Sequence, residues 1–355
     1  MQDSQSTLLT ETANGLYCAQ GDFYVDPWRP VKRAVVTHAH SDHAVSGSEA
    51  YLAAREGDAI LRMRLGSASS ITFLKYGEAV TLGGVRLSLH PAGHMTGSAQ
   101  VRLEFGGRIT VVSGDYKLQA DPTCRSFEPI RCHTFITEST FGLPIFRWNE
   151  TASVIHEIEE WQRTNRDAGR ASLITAYTVG KAQRILASLR NDFGPIIAHG
   201  AIFNACRAYR ECGVRLPNLL GVSEVGPGFE WTQALIIAPP SALGSPWMRR
   251  FGDLSTAMAS GWMRVRGIRR RRAVDRGFVL SDHVDWPDLI SAIAMSEAET
   301  ILVTHGYTDQ VVRHLVSQGR QARVVKTQFR GESEEGENVE APSSDVDTGE
   351  SEAQG

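Results

Sequence analysis

Three histidines and one carboxylate share the six positions His38-Ala39-His40-Ser41-Asp42-His43, directly after the apolar run Ala34-Val35-Val36. Neutral imidazoles and carboxylates are good zinc donors, and a cluster with open positions does catalysis rather than structural bracing. In an extended segment, side chains two apart point the same way, so His38 and His40 can share one metal. The chain must then turn, which would face Asp42 and His43 toward a second ion. A His-rich surface loop is the plainer reading, but it leaves the remaining donors of the chain unexplained.

Those donors follow one grammar. His94 comes after the alternating run Val85-Arg86-Leu87-Ser88-Leu89, Asp115 after Ile109-Thr110-Val111-Val112, and His283 after Gly277-Phe278-Val279. In each case a short β run breaks at turn-forming residues and then presents a ligand. Glu138, after Phe135-Ile136-Thr137, and His305, after Ile301-Leu302-Val303-Thr304, end buried runs in the same way. Asp26 closes Phe23-Tyr24-Val25 ahead of Pro27, where its own neighbours suggest the start of a turn. His133, His156, His199 and His314 lack ligand partners nearby and read as packing or surface residues, and the strand alternation makes His90 a structural neighbour rather than a second ligand beside His94.

Strand ends must therefore converge on one pocket, and the pattern of elements allows it. Up to residue 144 the chain reads as short strands separated by Gly-rich turns, with a helix near Ser48 to Arg55. After Glu150 the period changes: Val154, Ile155, Ile158 and Trp161 are spaced for an amphipathic helix. A strand at Ser172–Ala176, a helix from Gly180 to Leu186 and a strand at Ile196–Ala198 then suggest a small parallel α/β unit. From about residue 266 the first pattern is expected to return.

Two basic features suit a phosphate-bearing substrate. Tyr177-Thr178-Val179-Gly180-Lys181 ends a strand and opens a helix, so the amides near Gly180, with Lys181, could hold a phosphate. It is no Walker A loop, which speaks against an NTPase. Arg264, Arg266, Arg269, Arg270, Arg271 and Arg272, with Arg276, precede His283 and read as a strip contacting a nucleic-acid backbone. A charge run is more often a solvated face; its lead into a metal ligand favours the contact reading.

The formal net charge of −3 hides a division. Residues 331–355 hold nine acidic residues and no Lys or Arg, and read as a disordered acidic tail; the remainder is about +6. Five scattered cysteines without a Cys-x-x-Cys pair suit a reducing cytoplasm, the expected location, and argue against a disulfide framework. The N-terminus lacks the pattern of a secretory signal, and no run of about eighteen apolar residues suggests a membrane span.

The ordered donors resemble the metallo-β-lactamase fold, specifically its β-CASP nuclease branch, over roughly residues 13 to 330. Asp26 is similar to the first motif of that family, His38/His40/Asp42/His43 to the second, His94 to the third and Asp115 to the fourth. Glu138 resembles motif A and His283 motif C, while motif B has no histidine match; by order it would fall in Ser260-Gly261-Trp262-Met263. The resemblance implies an α/β chain: a four-layer αββα sandwich from residues 1–144 and 266–330, interrupted by a β-CASP domain at 145–265. It implies two zinc ions, with His38, His40 and His94 on one, Asp42, His43 and His283 on the other, and Asp115 bridging. Manganese is accepted by His/Asp sites of this kind as well. Asp42, Asp115, Glu138 and His305 are the implied catalytic residues, and relatives carry a similar Gly-Arg/Lys-Ala-Gln turn facing the groove.

Two metals about 3.5–4 Å apart lower the pKa of a water toward 7 and clamp a phosphate oxygen, which suits phosphodiester hydrolysis. Gly15-Leu16-Tyr17-Cys18, the segment Gly21 to Pro30 and Ser260–Met263 resemble bacterial ligase-associated DNA exonucleases. The histidine at motif C is the form usual in RNA-directed relatives. The expected function is a zinc-dependent nuclease, favouring DNA and exonucleolytic action in repair, with a DNA ligase or helicase as partner and no membrane. An RNA-processing nuclease is the alternative, followed by a small-molecule metallo-hydrolase and a non-catalytic scaffold. Filled ligand positions count against the scaffold, and the inserted unit with its arginines against the small-molecule enzyme.

Overall fold

The computed structural model describes residues 8–190, 192–272 and 274–328. The expected acidic tail, 331–355, lies outside them. A first sheet runs in chain order through β1 (Thr10–Thr12), β2 (Gly15–Cys18), β3 (Phe23–Val25), β4 (Arg33–Val35), β5 (Ala50–Ala54) and β6 (Ile71–Leu74), with α1 (Asp58–Leu65) between the last two. A second sheet begins with β7 (Ala79–Leu82), β8 (Val85–Pro91), β9 (Ala99–Phe105), β10 (Arg108–Val112) and β11 (Thr134–Ser139).

The chain then leaves for a third sheet. Its elements are α2 (Thr151–Asp167), β12 (Ala171–Thr175), α3 (Lys181–Ser188), β13 (Ile196–Ala198), α4 (Gly200–Glu211), β14 (Leu220–Gly221), β15 (Leu235–Ala238), β16 (Leu254–Ala259), α5 (Arg266–Arg271) and β17 (Arg276–Phe278). The strands are all parallel in the order β14-β13-β15-β12-β16-β17. Finally α6 (Trp286–Met295), β18 (Thr300–Gly306), α7 (Thr308–Ser317) and β19 (Gln321–Val324) return, and β18 and β19 complete the second sheet beside β11.

Packing follows the apolar faces. Leu16, Val25 and Val35 of the first sheet meet Leu87, Val101, Val112 and Leu302 of the second. The outer face of the first sheet covers itself with Ile60 and Leu61 of α1 and Tyr209 of α4, and the outer face of the second with Leu289 of α6 and Leu315 of α7. This is the four-layer αββα arrangement, with the third sheet built as a separate α/β unit around Ile174, Ile185 and Ile237.

Two expectations are corrected. The helix near Ser48 to Arg55 is strand β5, because its backbone pairs on both sides, with β4 and with β6. Sheet pairing overrides the helix preference of its alanines. The return to the first domain also comes later than residue 266. Residues Arg276–Phe278 pair with β16, and buried Phe278 packs on Trp161 of α2, so they belong to the third sheet.

Candidate metal centre

The histidine loop leaves β4 and is tied at both ends by one carboxylate. Asp26 follows β3 with φ +43°, a left-handed conformation that aspartate tolerates better than most residues. Its Oδ1 accepts the amide of Thr37 at 2.8 Å, and its Oδ2 accepts the Thr37 hydroxyl at 2.6 Å and His43 Nδ1 at 2.7 Å. Gly114, at φ +57°, lets the end of β10 come close to this loop. A Cβ there would stand 2.7 Å from Cβ of Thr37.

Each histidine is oriented by its outward nitrogen. The Thr37 hydroxyl already donates to Asp26, so it accepts from His38 Nδ1 at 3.0 Å. His40 donates Nε2–H to the Val179 carbonyl at 2.9 Å, and His94 donates Nδ1–H to the Asp282 carbonyl at 2.8 Å. The lone pairs of His38 Nε2, His40 Nδ1 and His94 Nε2 are thereby left to face one another, the last two 3.2 Å apart. His38 Nε2 is buried with no hydrogen-bond partner.

Asp115 sits at the centre of this set. Its Oδ2 lies 3.5 Å from His38 Nε2, 3.5 Å from His43 Nε2, 4.0 Å from His94 Nε2 and 3.9 Å from His283 Nδ1. Among the described residues, two groups hold their donor atoms all within 4.8 Å of one another: His38, His40, His94 and Asp115, and Asp115, Glu138 and His283. Asp42 and His43 fall outside both, although His43 Nε2 is 3.7 Å from Asp42 Oδ2. Asp115 joins the two groups, and Glu138 stands in the second where Asp42 and His43 had been expected beside His283.

The electrostatics suit cation binding. Burial, with repulsion from neighbouring imidazoles, drives His38 and His94 well below the ordinary histidine range, and burial lowers His40 to about 3. These shifts favour the neutral, lone-pair-bearing form of all three. Burial lifts the Asp115 carboxyl far above its usual range, and the nearby Glu138 adds to the lift. A buried carboxylate that resists charging beside an orphaned imidazole nitrogen fits a cation between them.

Glu138 is fully committed. Its oxygens accept the Tyr116 amide at 2.9 Å and the Thr140 hydroxyl at 2.5 Å, and both lie within 3.0 Å of His283 Nδ1. Burial opposes the charge on His283, but Glu138 and Asp115 outweigh it and raise the imidazole to about 9. His305 sits at the end of β18 with φ +54°, and burial lowers its pKa although Glu138 and Asp42 pull the other way. His90 bonds Ser88 and Glu128, His133 accepts the Ile109 amide, and His199 caps α4.

The basic features are placed differently from expectation. The Gly180 amide, expected to face a phosphate, donates to Gln183 Oε1 at 2.8 Å. Lys181 is buried rather than presented on an open groove, and α3 begins close to His40, Met95 and Asp282. It lines one cavity with Tyr177, Trp262 and Arg272. Arg264, Arg266, Arg270 and Arg272 are exposed, and the side chains of Arg269 and Arg271 lie outside the described residues. Arg276 pairs with Glu157 at 3.2 Å. At the place of the missing motif B, Trp262 packs on Phe141 and Phe146.

Sequence reasoning missed a buried charge cluster behind the site. Lys117 bonds Asp121 at 2.7 Å, and Arg184 bonds Asp282 at 3.1 Å. Available signals were Lys117 two residues beyond Asp115, Asp282 immediately before His283, and a charged residue on the apolar face of α3.

No family model matches the chain. A probable DNA ligase of Opitutus terrae is 31% identical over 318 residues, covering 87% of this chain and 30% of that protein. An endoribonuclease YSH1 of Yarrowia lipolytica is 26% identical over 156 residues, covering 41% and 18%. A transcription termination factor FttA of Thermococcus kodakarensis is 35% identical over 125 residues, covering 33% and 19%. The chain thus spans less than a third of the length of these curated relatives. A solved protein of unknown function from Enterococcus faecalis V583 shares the fold, with a TM-score of 0.55, 11% identity and coverage of 84% and 80%.

Proposed function

The chain belongs to the β-CASP branch of the metallo-β-lactamase fold, and on that premise we propose that it is a metal-dependent nuclease hydrolysing phosphodiester bonds of nucleic acid. The observation that carries the reading is Asp115 Oδ2 within 4.0 Å of four inward-facing histidine nitrogens. His38, His40 and His94 would hold one ion, Asp115 would bridge, and His283 would help hold the other, with Asp42, His43 and Glu138 beside it. Bound zinc would activate water and neutralise charge building on the phosphate.

The protein's own groups supply the rest. Asp26 keeps His43 and the Thr37 turn in place, and Glu138 fixes the His283 ring. Asp42 would orient the attacking water. His305, at the end of β18, would protonate the leaving oxygen; burial lowers its pKa, and Glu138 and Asp42 oppose that shift and favour the protonated ring. Exposed Arg264, Arg266, Arg270 and Arg272 would track the strand backbone toward the cavity lined by Lys181 and Trp262. No helix among the described residues is long and apolar enough to cross a membrane.

DNA is the favoured substrate, with exonucleolytic action in repair and ligation. Support comes from the relative named a probable DNA ligase, in which a region similar to most of this chain occupies 30% of the protein. That arrangement also supports a ligase as partner. The RNA-processing reading draws on the shorter matches to endoribonucleases. End-labelled single-stranded DNA and RNA of one sequence, incubated with wild type and Asp115→Ala, separate the two. Progressive shortening of DNA, with RNA slower, is expected; site-selective cutting of RNA with DNA intact would reverse the assignment.

A further inference from the structure

Arg184 lies in the first turn of α3, and its side chain is fully buried. Burying a guanidinium is costly unless its donors are paired. Nη1 donates to the Ser281 carbonyl at 2.5 Å and to Asp282 Oδ1 at 3.1 Å, and Nη2 donates to Thr151 Oγ1 at 2.6 Å and Gln119 Oε1 at 3.1 Å. Nε has no hydrogen-bond partner and stands 3.7 Å from Asp121 Oδ2. One side chain of the third-sheet unit therefore grips both the segment after β10 and the segment after β17.

What it grips is the support of a metal ligand. The Asp282 carbonyl fixes His94, and the Asp282 carboxylate is held by Arg184 and by Lys117, whose Nζ is 3.7 Å away and 3.3 Å from the His94 carbonyl. Lys117 at 3.7 Å and Arg184 at 3.1 Å both face the same oxygen, Oδ1. Asp282 is thus committed to cations of the protein and is no competing metal ligand.

A second contact comes from the same stretch. Val179, just before α3, orients His40 through its carbonyl. Gly180 between them adopts φ +105°, and a Cβ there would stand 3.5 Å from Asp282 Oδ2 and 3.8 Å from His40 Nε2. Residues 179 to 184 thus orient two of the three histidines of the first group, although those histidines belong to the other domain.

We propose that Arg184 is a positioning residue through which docking of the third-sheet unit and loading of the metal centre become one linked equilibrium. The inference rests on the metal reading above and deepens it. Docked, the unit holds His40 and His94 with their lone pairs converged; undocked, both rings are free to turn. A metal binds the converged arrangement more tightly and so favours docking, and by linkage docking raises metal affinity. Loss of a contact that supports a metal-ligating histidine costs roughly 10- to 100-fold in affinity.

The test uses the full chain. Zinc affinity is measured by chelator competition for wild type, Arg184→Met and Arg184→Lys, and amide hydrogen exchange of residues 171–190 is followed with and without zinc. Affinity should fall roughly 10- to 100-fold in Arg184→Met and recover in part in Arg184→Lys. Zinc should slow exchange over residues 171–190 of the wild type. A folded Arg184→Met with wild-type zinc affinity would overturn the proposal. If that variant does not fold, the wild type decides: exchange indifferent to zinc overturns it equally. A wild type that binds no zinc would instead sink the metal reading, and this inference with it.

Discussion

Oδ2 of Asp115 stands 3.5 Å from Nε2 of His38, a buried nitrogen that makes no hydrogen bond. An unsatisfied buried polar atom costs about 1–3 kcal/mol, and here it faces a carboxylate whose charge burial disfavours. A cation between the two relieves both penalties. The rest of the site keeps that gap open: Thr37 holds the far side of the His38 ring, and Asp26 holds Thr37.

Asp26→Asn keeps the shape but weakens the acceptor facing His43 and the Thr37 hydroxyl. Zinc affinity should drop by roughly 10- to 100-fold, read by chelator competition. An unchanged affinity would mean that the histidine loop holds its geometry without the carboxylate.

Gly114→Ala adds a methyl group within 2.7 Å of Thr37 Cβ at a residue with φ +57°. Destabilisation of about 1–3 kcal/mol is expected from the backbone strain alone, measured by denaturant unfolding. A variant as stable as wild type would show that the loop yields freely.

The pattern of a β run followed by a polar donor was legible: β4, β8 and β10 end shortly before His38, His94 and Asp115, Glu138 lies near the end of β11, and their donor atoms gather around Asp115. The placement of β5 was not, because Ala50 to Ala54 carries helix-forming residues, and only pairing with strands distant in sequence decides its form. The pairing of Arg184 with Asp282 was hidden for a similar reason. It spans 98 residues, and although a charge on the apolar face of α3 is a local signal, nothing in either segment names its partner. The fate of the Gly180 turn depended on which surface α3 docks against, which no local pattern records.

Arg270→Gln with Arg272→Gln should weaken nucleic-acid binding without changing zinc content. Each lost phosphate contact lowers the log–log salt slope by roughly one. Binding titrations at several salt concentrations measure it, and an unaltered slope would make the run a solvated face.

Thiol chemistry offers a check on burial and pH. Burial pushes Cys124 and Cys132 up to about 12 and Cys206 to about 11. For a thiol, a raised pKa means less thiolate, so native alkylation at pH 8 should be slow at all three and should accelerate only as pH nears those values or the chain unfolds. Mass spectrometry after timed alkylation reads this, and rapid native labelling of Cys206 would contradict the packing around it.

The most direct measurement couples metal content to cleavage. The protein is stripped with a chelator, analysed for elements, assayed on end-labelled single-stranded DNA and RNA, and assayed again after zinc is returned, with Asp115→Ala alongside. The predicted result is about two zinc per chain in the loaded wild type, cleavage lost on stripping and restored with zinc, and low metal content with no cleavage in Asp115→Ala. Full cleavage by metal-free wild-type protein would contradict the account.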